Sequence, residues 1–294
     1  MATLITLKRR IGSIRNTRQI TKAMQMVSAS KLRRAQEQAQ ASRAYRQAAY
    51  GLLARLNQIK EVEQQPLFKH RKIRSRLYIV ITSNSGLAGA YNANVLKILT
   101  QAIRRDQAEK VKSSIITIGN KGAQFVRRLS DVELLAYYPT PGDHPKENDI
   151  RPVLNSIIER YISEKVDEVH LIYTDFRSTV SQQAIDLPLL PAELSAQVPK
   201  PTGKVVVADF MNFEPDVETV IHNIAARLIE VQIWQGLLES AASEHSMRMI
   251  AMKNATDNAT DLISDYTLEY NTARQAAITQ ELAEITGGAE ALNV

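Results

Sequence analysis

The chain has no cysteine among its 294 residues, which excludes disulfides, cysteine-based zinc sites and thiol catalysis. Its ten prolines all fall between Pro66 and Pro215, so the first 65 and last 79 residues lack the one residue that reliably breaks a helix. Aromatics make up only 5% of the chain, too few for a bulky globular interior and better suited to extended helical packing. No apolar run reaches the ~18 residues that a bilayer span requires. Met1 to Arg10 carries neither a long apolar stretch nor a small-residue cleavage site, so no signal peptide is expected and a cytoplasmic chain fits.

What remains at the two ends is helix. At ~1.5 Å per residue, Leu4 to Ile59 would extend roughly 80 Å and Asp216 to Ile285 roughly 100 Å, longer than a domain of this size is wide. The C-terminal segment keeps a heptad seam through Ile221, Ile224, Leu228, Val231, Gln235, Leu238, Ala242, His245, Met249, Met252, Thr256, Ala259, Ile263, Tyr266, Tyr270, Ala273 and Ala277. Pro215, Asp216 and Glu218 mark its start, and Gly287 and Gly288 are expected to stop it. The N-terminal seam starts with Leu4, Leu7, Ile11 and Ile14, is expected to shift phase through Ile20, Met24 and Val27, and resumes at Leu32, Ala35 and Ala39. Both helices are rooted in the middle of the chain, so pairing them forces an antiparallel arrangement. The longer one would project ~20 Å beyond its partner, leaving Ile278, Leu282 and Ile285 in need of a socket on another protein.

Charge separates along the same division. Residues 1–60 carry 13 Lys and Arg against the single acid Glu37, whereas residues 216–294 carry 12 acids against Arg227, Arg248, Lys253 and Arg274. Exposed pairs contribute only ~0–1 kcal/mol each, so this complementarity would select partners and orientation more than stability.

Between Arg76 and about Val207 the pattern changes to short β-rich runs alternating with helices. Strands are expected at Leu77–Thr82, Ser114–Gly119, Glu133–Tyr138, Glu168–Thr174 and Val205–Val207, with helices at Asn92–Arg105, Lys121–Leu129 and Asp149–Glu164. Such alternation implies an α/β fold, a central mostly parallel sheet with flanking helices. The domain limits are 1–60 for the first coiled-coil helix, 61–75 for a linker, 76–210 for the α/β domain and 211–294 for the second coiled-coil helix. Ser83 to Tyr91 forms a glycine-bearing turn between a strand and a helix, where an anion could meet backbone amides. It lacks the three-glycine dinucleotide spacing and the lysine and hydroxyl ending of a P-loop, and is expected to be a tight turn.

Catalytic patterns are missing. His70, His144, His170, His222 and His245 show no metal-ligand spacing, and no serine occupies a nucleophile elbow. Asp257, Asp261 and Asp265 share one helical face, and the expectation is that they face the basic helix or solvent. No cofactor and no catalytic residue are expected.

Three stretches together resemble the gamma subunit of F-type ATP synthases. They are Leu7–Leu32 with its Asn16-Thr17-Arg18-Gln19-Ile20-Thr21-Lys22-Ala23-Met24 core, the Gly86-Leu87-Ala88-Gly89 turn, and Met249–Asn258 with Tyr270–Leu282. The resemblance covers the whole chain in order and implies an antiparallel shaft inside a ring of alternating alpha and beta subunits. It implies an α/β domain near the membrane c-ring and the epsilon subunit. Carried over by motif, Lys22 and Met24 would lie near the beta subunit's acidic lever loop, and Lys8 and Arg9 would contact the ring near the upper shaft. Arg248, Gln275 and Thr279 would touch the catalytic ring or stabilise the shaft. The resemblance implies a non-catalytic rotor subunit that couples ion flow to ATP synthesis. It would sit peripherally on the cytoplasmic side of a bacterial inner membrane. Ala88 stands where many relatives have Cys, and the inserted cysteine pair of thiol-regulated chloroplast relatives is missing.

Two other readings have testable content. A basic coiled-coil arm could bind nucleic acid, though the acidic partner helix opposes that. An enzyme could hold a nucleotide at Ser83–Tyr91.

Overall fold

The computed structural model describes residues 4–56, 65–142, 147–192 and 217–292, with side chains outside 42–56, 147, 217, 218, 221, 222 and 290–292. The elements in order are α1 (Leu4–Leu56), β1 (Ser75–Ile81), α2 (Tyr91–Glu109), β2 (Lys112–Ile118), α3 (Asn120–Val126), β3 (Glu133–Tyr138), a 3-10 turn (Glu147–Ile150), α4 (Arg151–Ile162), β4 (Glu168–Phe176), β5 (Gln182–Leu190) and α5 (Val217–Leu292). Contacts divide the chain into two compact units, one of Met1–Ser28 with Arg248–Val294 and one of Ala29–Met247.

The second unit holds a five-stranded sheet of order β3-β2-β1-β4-β5. Its first four strands are parallel and β5 pairs antiparallel with β4. Alternation along β1 explains both layers. Leu77, Ile79 and Ile81 enter a core that also contains Val153, Ile157 and Tyr161 of α4 and Ala225, Ile229, Ile233 and Leu237 of α5. Tyr78 and Val80 enter the opposite core with Val95, Leu99 and Ile103 of α2 and Val126 of α3. Helices therefore cover both faces, as buried parallel sheets require.

One glycine shows how closely α3 approaches β1. Gly119 has φ +109°, and a Cβ there would sit 2.0 Å from the Thr82 carbonyl oxygen. Only glycine tolerates both conditions. Next to it, the Gly122 amide donates to Thr82 Oγ1 at 2.8 Å, tying the helix start to the strand end.

The fifth strand is not where the sequence suggested. Val205–Val207 lies outside the described residues, and the observed fifth strand occupies Gln182–Leu190. Pro188 disguises it, because proline donates no ladder hydrogen bond; β5 is an edge strand, where that loss is tolerated. The end of α5 also differs from expectation. The helix continues through Gly287 and Gly288 to Leu292. Neither glycine adopts a positive φ, and a Cβ at either position would meet nothing within 4 Å, so no tertiary contact forces a turn. Pro215 and Asp216, expected at the start of this helix, lie outside the described residues.

The root of α5 carries more than one seam. Between Ala225 and Leu238 almost every side chain is buried or half-buried. Ala225, Ile229, Ile233 and Leu237 meet the sheet, while Leu228, Val231, Gln235 and Leu238 occupy the heptad positions.

Candidate functional site

In the unit formed by 1–28 and 248–294, two contacts fix the direction of the paired helices. Thr256 Oγ1 donates to Thr21 Oγ1 at 2.8 Å, and the Arg10 guanidinium stands 5.9 Å from the Tyr266 ring centroid. Residue numbers rise along α1 as they fall along α5, so the pair is antiparallel. Thr21 in turn donates to the Arg18 carbonyl at 3.1 Å, giving a hydroxyl chain across the interface.

The α5 seam follows the heptad reading. Met252 and Ala259 are buried, and Thr256, Ile263, Tyr266, Tyr270, Ala273 and Ala277 are half-buried between mostly exposed neighbours. The α1 seam does not shift phase. Leu4, Leu7, Ile11, Ile14, Arg18, Thr21, Gln25 and Ser28 are covered, an unbroken spacing of three and four that runs on into Leu32, Ala35 and Ala39. Ile20 and Val27 are 61% and 54% exposed. Hydrophobicity alone moved the expected stripe onto them, because the true seam in this stretch is made of threonine, glutamine, serine and arginine. The small or hydrogen-bonded residues bring the helices together, and the large apolar ones face outward.

The acidic triplet resolves the same way. Asp257, Asp261 and Asp265 are exposed and form no ion pair among the described residues. Helical spacing sets them opposite Met252, Ala259 and Ile263, so they face solvent rather than the basic helix. Opposite charge on the two helices therefore does not become contact here.

The residues singled out by resemblance fall into two groups. Lys8, Arg9, Lys22, Gln275 and Thr279 are exposed, and Met24 is half-buried. Thr279 donates to the Gln275 carbonyl at 2.9 Å, binding those two positions to each other. Arg248 is buried. Sequence reasoning missed Ile20, Met26 and Val27 as exposed apolar positions; counting the heptad straight through polar residues would have found them. Past Ala277 every described side chain is exposed, including Ile278, Leu282 and Ile285. From Ala277 to Leu292 is about 22 Å of helix.

In the sheet unit, the turn after β1 is a knot of protein hydrogen bonds. The Ser83 amide donates to Asn92 Oδ1 at 3.0 Å, and the Tyr91 amide to the Ala88 carbonyl at 3.2 Å. Asn84 Oδ1 accepts from the amides of Asn120 and Thr140, both at 3.3 Å, joining the turns that follow β1, β2 and β3. This is the tight turn expected from the sequence. A cleft of about 220 Å³ adjoins it, with Lys31, Arg34, Asn84, Tyr91, Glu244 and His245 in its lining.

At the other end of the strands, Arg76 is buried between Asp106 (2.5 Å), Glu109 (2.8 Å) and Glu168 (2.6 Å). Burial opposes its charge, yet the hydrogen bonds to Glu168, Asp106 and Glu109 outweigh it and hold the guanidinium pKa above its ordinary value. Asp106 also accepts from Tyr78 and Ser113, so the cluster is satisfied internally and clamps β1, β2 and α2. Among the described residues no group of His, Asp and Glu could hold a metal ion. No described helix is long and apolar enough to cross a membrane.

Terminal helices that pair antiparallel, with a mostly parallel sheet lying between them in sequence, define a class of α/β proteins with long paired ends, and similarity to known proteins agrees. The family model described as ATP synthase matches residues 3–292. The chain is 42% identical to an ATP synthase gamma chain of Xylella fastidiosa over 294 residues, covering 99% of this chain and 100% of that one. It is 40% identical to that of Geobacter metallireducens over 299 residues, covering 99% of each. The chain belongs to this family, the gamma chains of ATP synthase. Among solved structures it is similar to the central stalk and c-ring structure of the Tetrahymena thermophila mitochondrial ATP synthase (TM-score 0.63, 24% identity, 80% of this chain and 99% of that one). It is also similar to a chain of the Euglena gracilis OSCP/F1/c-ring structure (TM-score 0.66, 19% identity, 98% and 94%). At those identities the structures speak for the fold. None of these matches supports a nucleic-acid arm.

Proposed function

We propose that this chain is the central rotor shaft of a rotary ATP synthase, carrying torque between a membrane ion-translocating ring and the catalytic alpha and beta subunits. The observation that carries this reading is the antiparallel pair, whose seam between Arg18 and Ser28 is polar while Ile20, Met26 and Val27 turn outward. A shaft with unlike faces touches the surrounding subunits unequally. Each rotary position then favours a different open or closed state at each catalytic site, since only differential contact can shift such populations. Turning the ring in one direction drives ADP and phosphate to ATP; hydrolysis drives the reverse.

The chain itself is non-catalytic in this scheme and needs no cofactor. Lys8, Arg9, Lys22 and Met24 meet the ring of alpha and beta subunits, Gln275 and Thr279 meet it near the tip, and Arg248 supports the shaft. The sheet unit faces the epsilon subunit and the c-ring. Its place is peripheral, on the cytoplasmic side of a bacterial inner membrane, a reading supported by relatives at about 40% identity from Geobacter metallireducens and Xylella fastidiosa. The test is direct. The purified chain is mixed with alpha and beta subunits, a probe is fixed to the sheet unit, and ATP is added. Continuous one-way rotation is expected; an assembled complex that hydrolyses ATP with a stationary probe overturns the proposal.

A further inference from the structure

The joint between α5 and the sheet has a feature that apolar packing does not require. The ladder between β1 and β4 ends at Val80 and Ile172, yet β4 continues to Phe176. Beyond that end, the backbone of Thr174 has no β1 partner, and the residue is fully buried. Thr174 stands opposite Ala184 of β5, but on the side where β1 has ended a buried peptide group is costly unless it finds another partner. The partners come from α5. The Thr174 amide donates to Ser240 Oγ at 3.3 Å, and Ser243 Oγ donates to the Thr174 carbonyl at 3.4 Å. One turn further, Ser246 Oγ donates to the Thr179 carbonyl at 2.8 Å in the β4–β5 hairpin and accepts from the Gln182 side-chain amide at 3.2 Å. All three serines are buried. Gly236, in the preceding turn, lets the helix come this close, since a Cβ there would lie 2.9 Å from Leu171 Cδ2.

We propose that Ser240, Ser243 and Ser246 are positioning residues for torque transfer: the first two take the place of a missing strand at Thr174, the third grips the β4–β5 hairpin, and together they index α5 against rolling or sliding on the sheet. This rests on the shaft reading above. The physical reason is directional. Apolar contacts such as Ile229 and Ile233 against the sheet hold the helix down but are indifferent to small rotations about its axis. Hydrogen bonds weaken steeply when misaligned, so the four made by these three serines resist that rotation. Torque entering at the sheet therefore reaches α5 through these hydroxyls with little angular slack.

Two measurements test it on the full chain and the assembled complex. In the isolated chain carrying S240A, S243A and S246A, hydrogen exchange at the Thr174 amide and the 177–181 hairpin is expected to be at least about tenfold faster, with protection of β1 and β2 unchanged. In the complex, thermal angular fluctuation of a probe on the sheet unit is expected to widen roughly twofold in variance, while the ATP hydrolysis rate stays at the parent value. Ser246→Ala alone, at the rim of the joint, should give a smaller widening, and Ser246→Thr, which keeps the hydroxyl, should restore the parent value. If the triple variant does not assemble, the Ser246 pair decides the matter. Parent-like angular fluctuation in folded Ser246→Ala, or in the triple variant, overturns the proposal. A parent complex whose probe never turns instead overturns the shaft reading, leaving the exchange result to stand alone.

Discussion

Substituting one residue on each side of α1 distinguishes the observed seam from the shifted one. Leu7 is 1% exposed and Ile20 is 61% exposed. Truncating a buried leucine to alanine removes its transfer free energy and leaves a cavity, together about 2–5 kcal/mol. A two-helix interface can close up more readily than a globular core, so the lower part of that range, about 2–3 kcal/mol, is expected for Leu7→Ala. For a unit of this size that corresponds to a melting temperature lower by roughly 10 °C or more. Ile20→Ala loses little burial and gains helix propensity, so it should stay within about 0.5 kcal/mol of the parent. Far-UV circular dichroism against temperature and guanidinium on the purified chain reads both. In the assembled motor the ranking changes, because Ile20→Asp and Val27→Asp should impair ATP-driven rotation without altering the isolated chain's melt. An Ile20→Ala variant as unstable as Leu7→Ala would refute the straight heptad and restore the shifted one.

Gly119→Ala should cost about 3 kcal/mol or more and reduce soluble yield, since both its positive φ and the Thr82 carbonyl oppose a side chain. Gly12→Ala, in open helix with nothing within 4 Å, should gain about 0.5–1 kcal/mol in the same denaturation assay. A double-mutant cycle with Thr21→Val and Thr256→Val should show a coupling of about 0.5–1.5 kcal/mol; additive losses would mean that the hydroxyl chain contributes nothing. Burial pushes the Tyr161 phenol up to about 12, and Tyr78 is raised by burial and its bond to Asp106. The folded state then keeps these protons while the unfolded chain releases them, so stability is full below about pH 10 and is lost as pH climbs toward 12, by on the order of 2 kcal/mol for Tyr161. Guanidinium midpoints that do not fall between about pH 10 and pH 12 would contradict this.

Periodicity and proline placement revealed the large elements, because helix length and strand alternation are local properties. Glu133–Tyr138 and the start of β4 at Glu168 fall where the pattern suggested. The features that escaped depend on tertiary context. Pro188 argues against a strand until β5 is known to be an edge. Gly287 and Gly288 read as a helix stop until nothing is found to bend the chain there. Ile20 and Val27 read as seam because apolar residues usually pack, and only Thr21, hydrogen-bonded to Thr256, reveals that this interface is polar. Ser240, Ser243 and Ser246 carry no signal at all in the sequence, since their value comes from a stretch of β4 that β1 does not reach and from its hairpin, some 66–69 residues earlier.

A helix pair that buries Leu7, Ile11 and Met252 along its seam yet turns Ile20, Met26 and Val27 outward is unfinished when alone. Surplus copies would offer oily ribbons to one another and to the quality-control machinery.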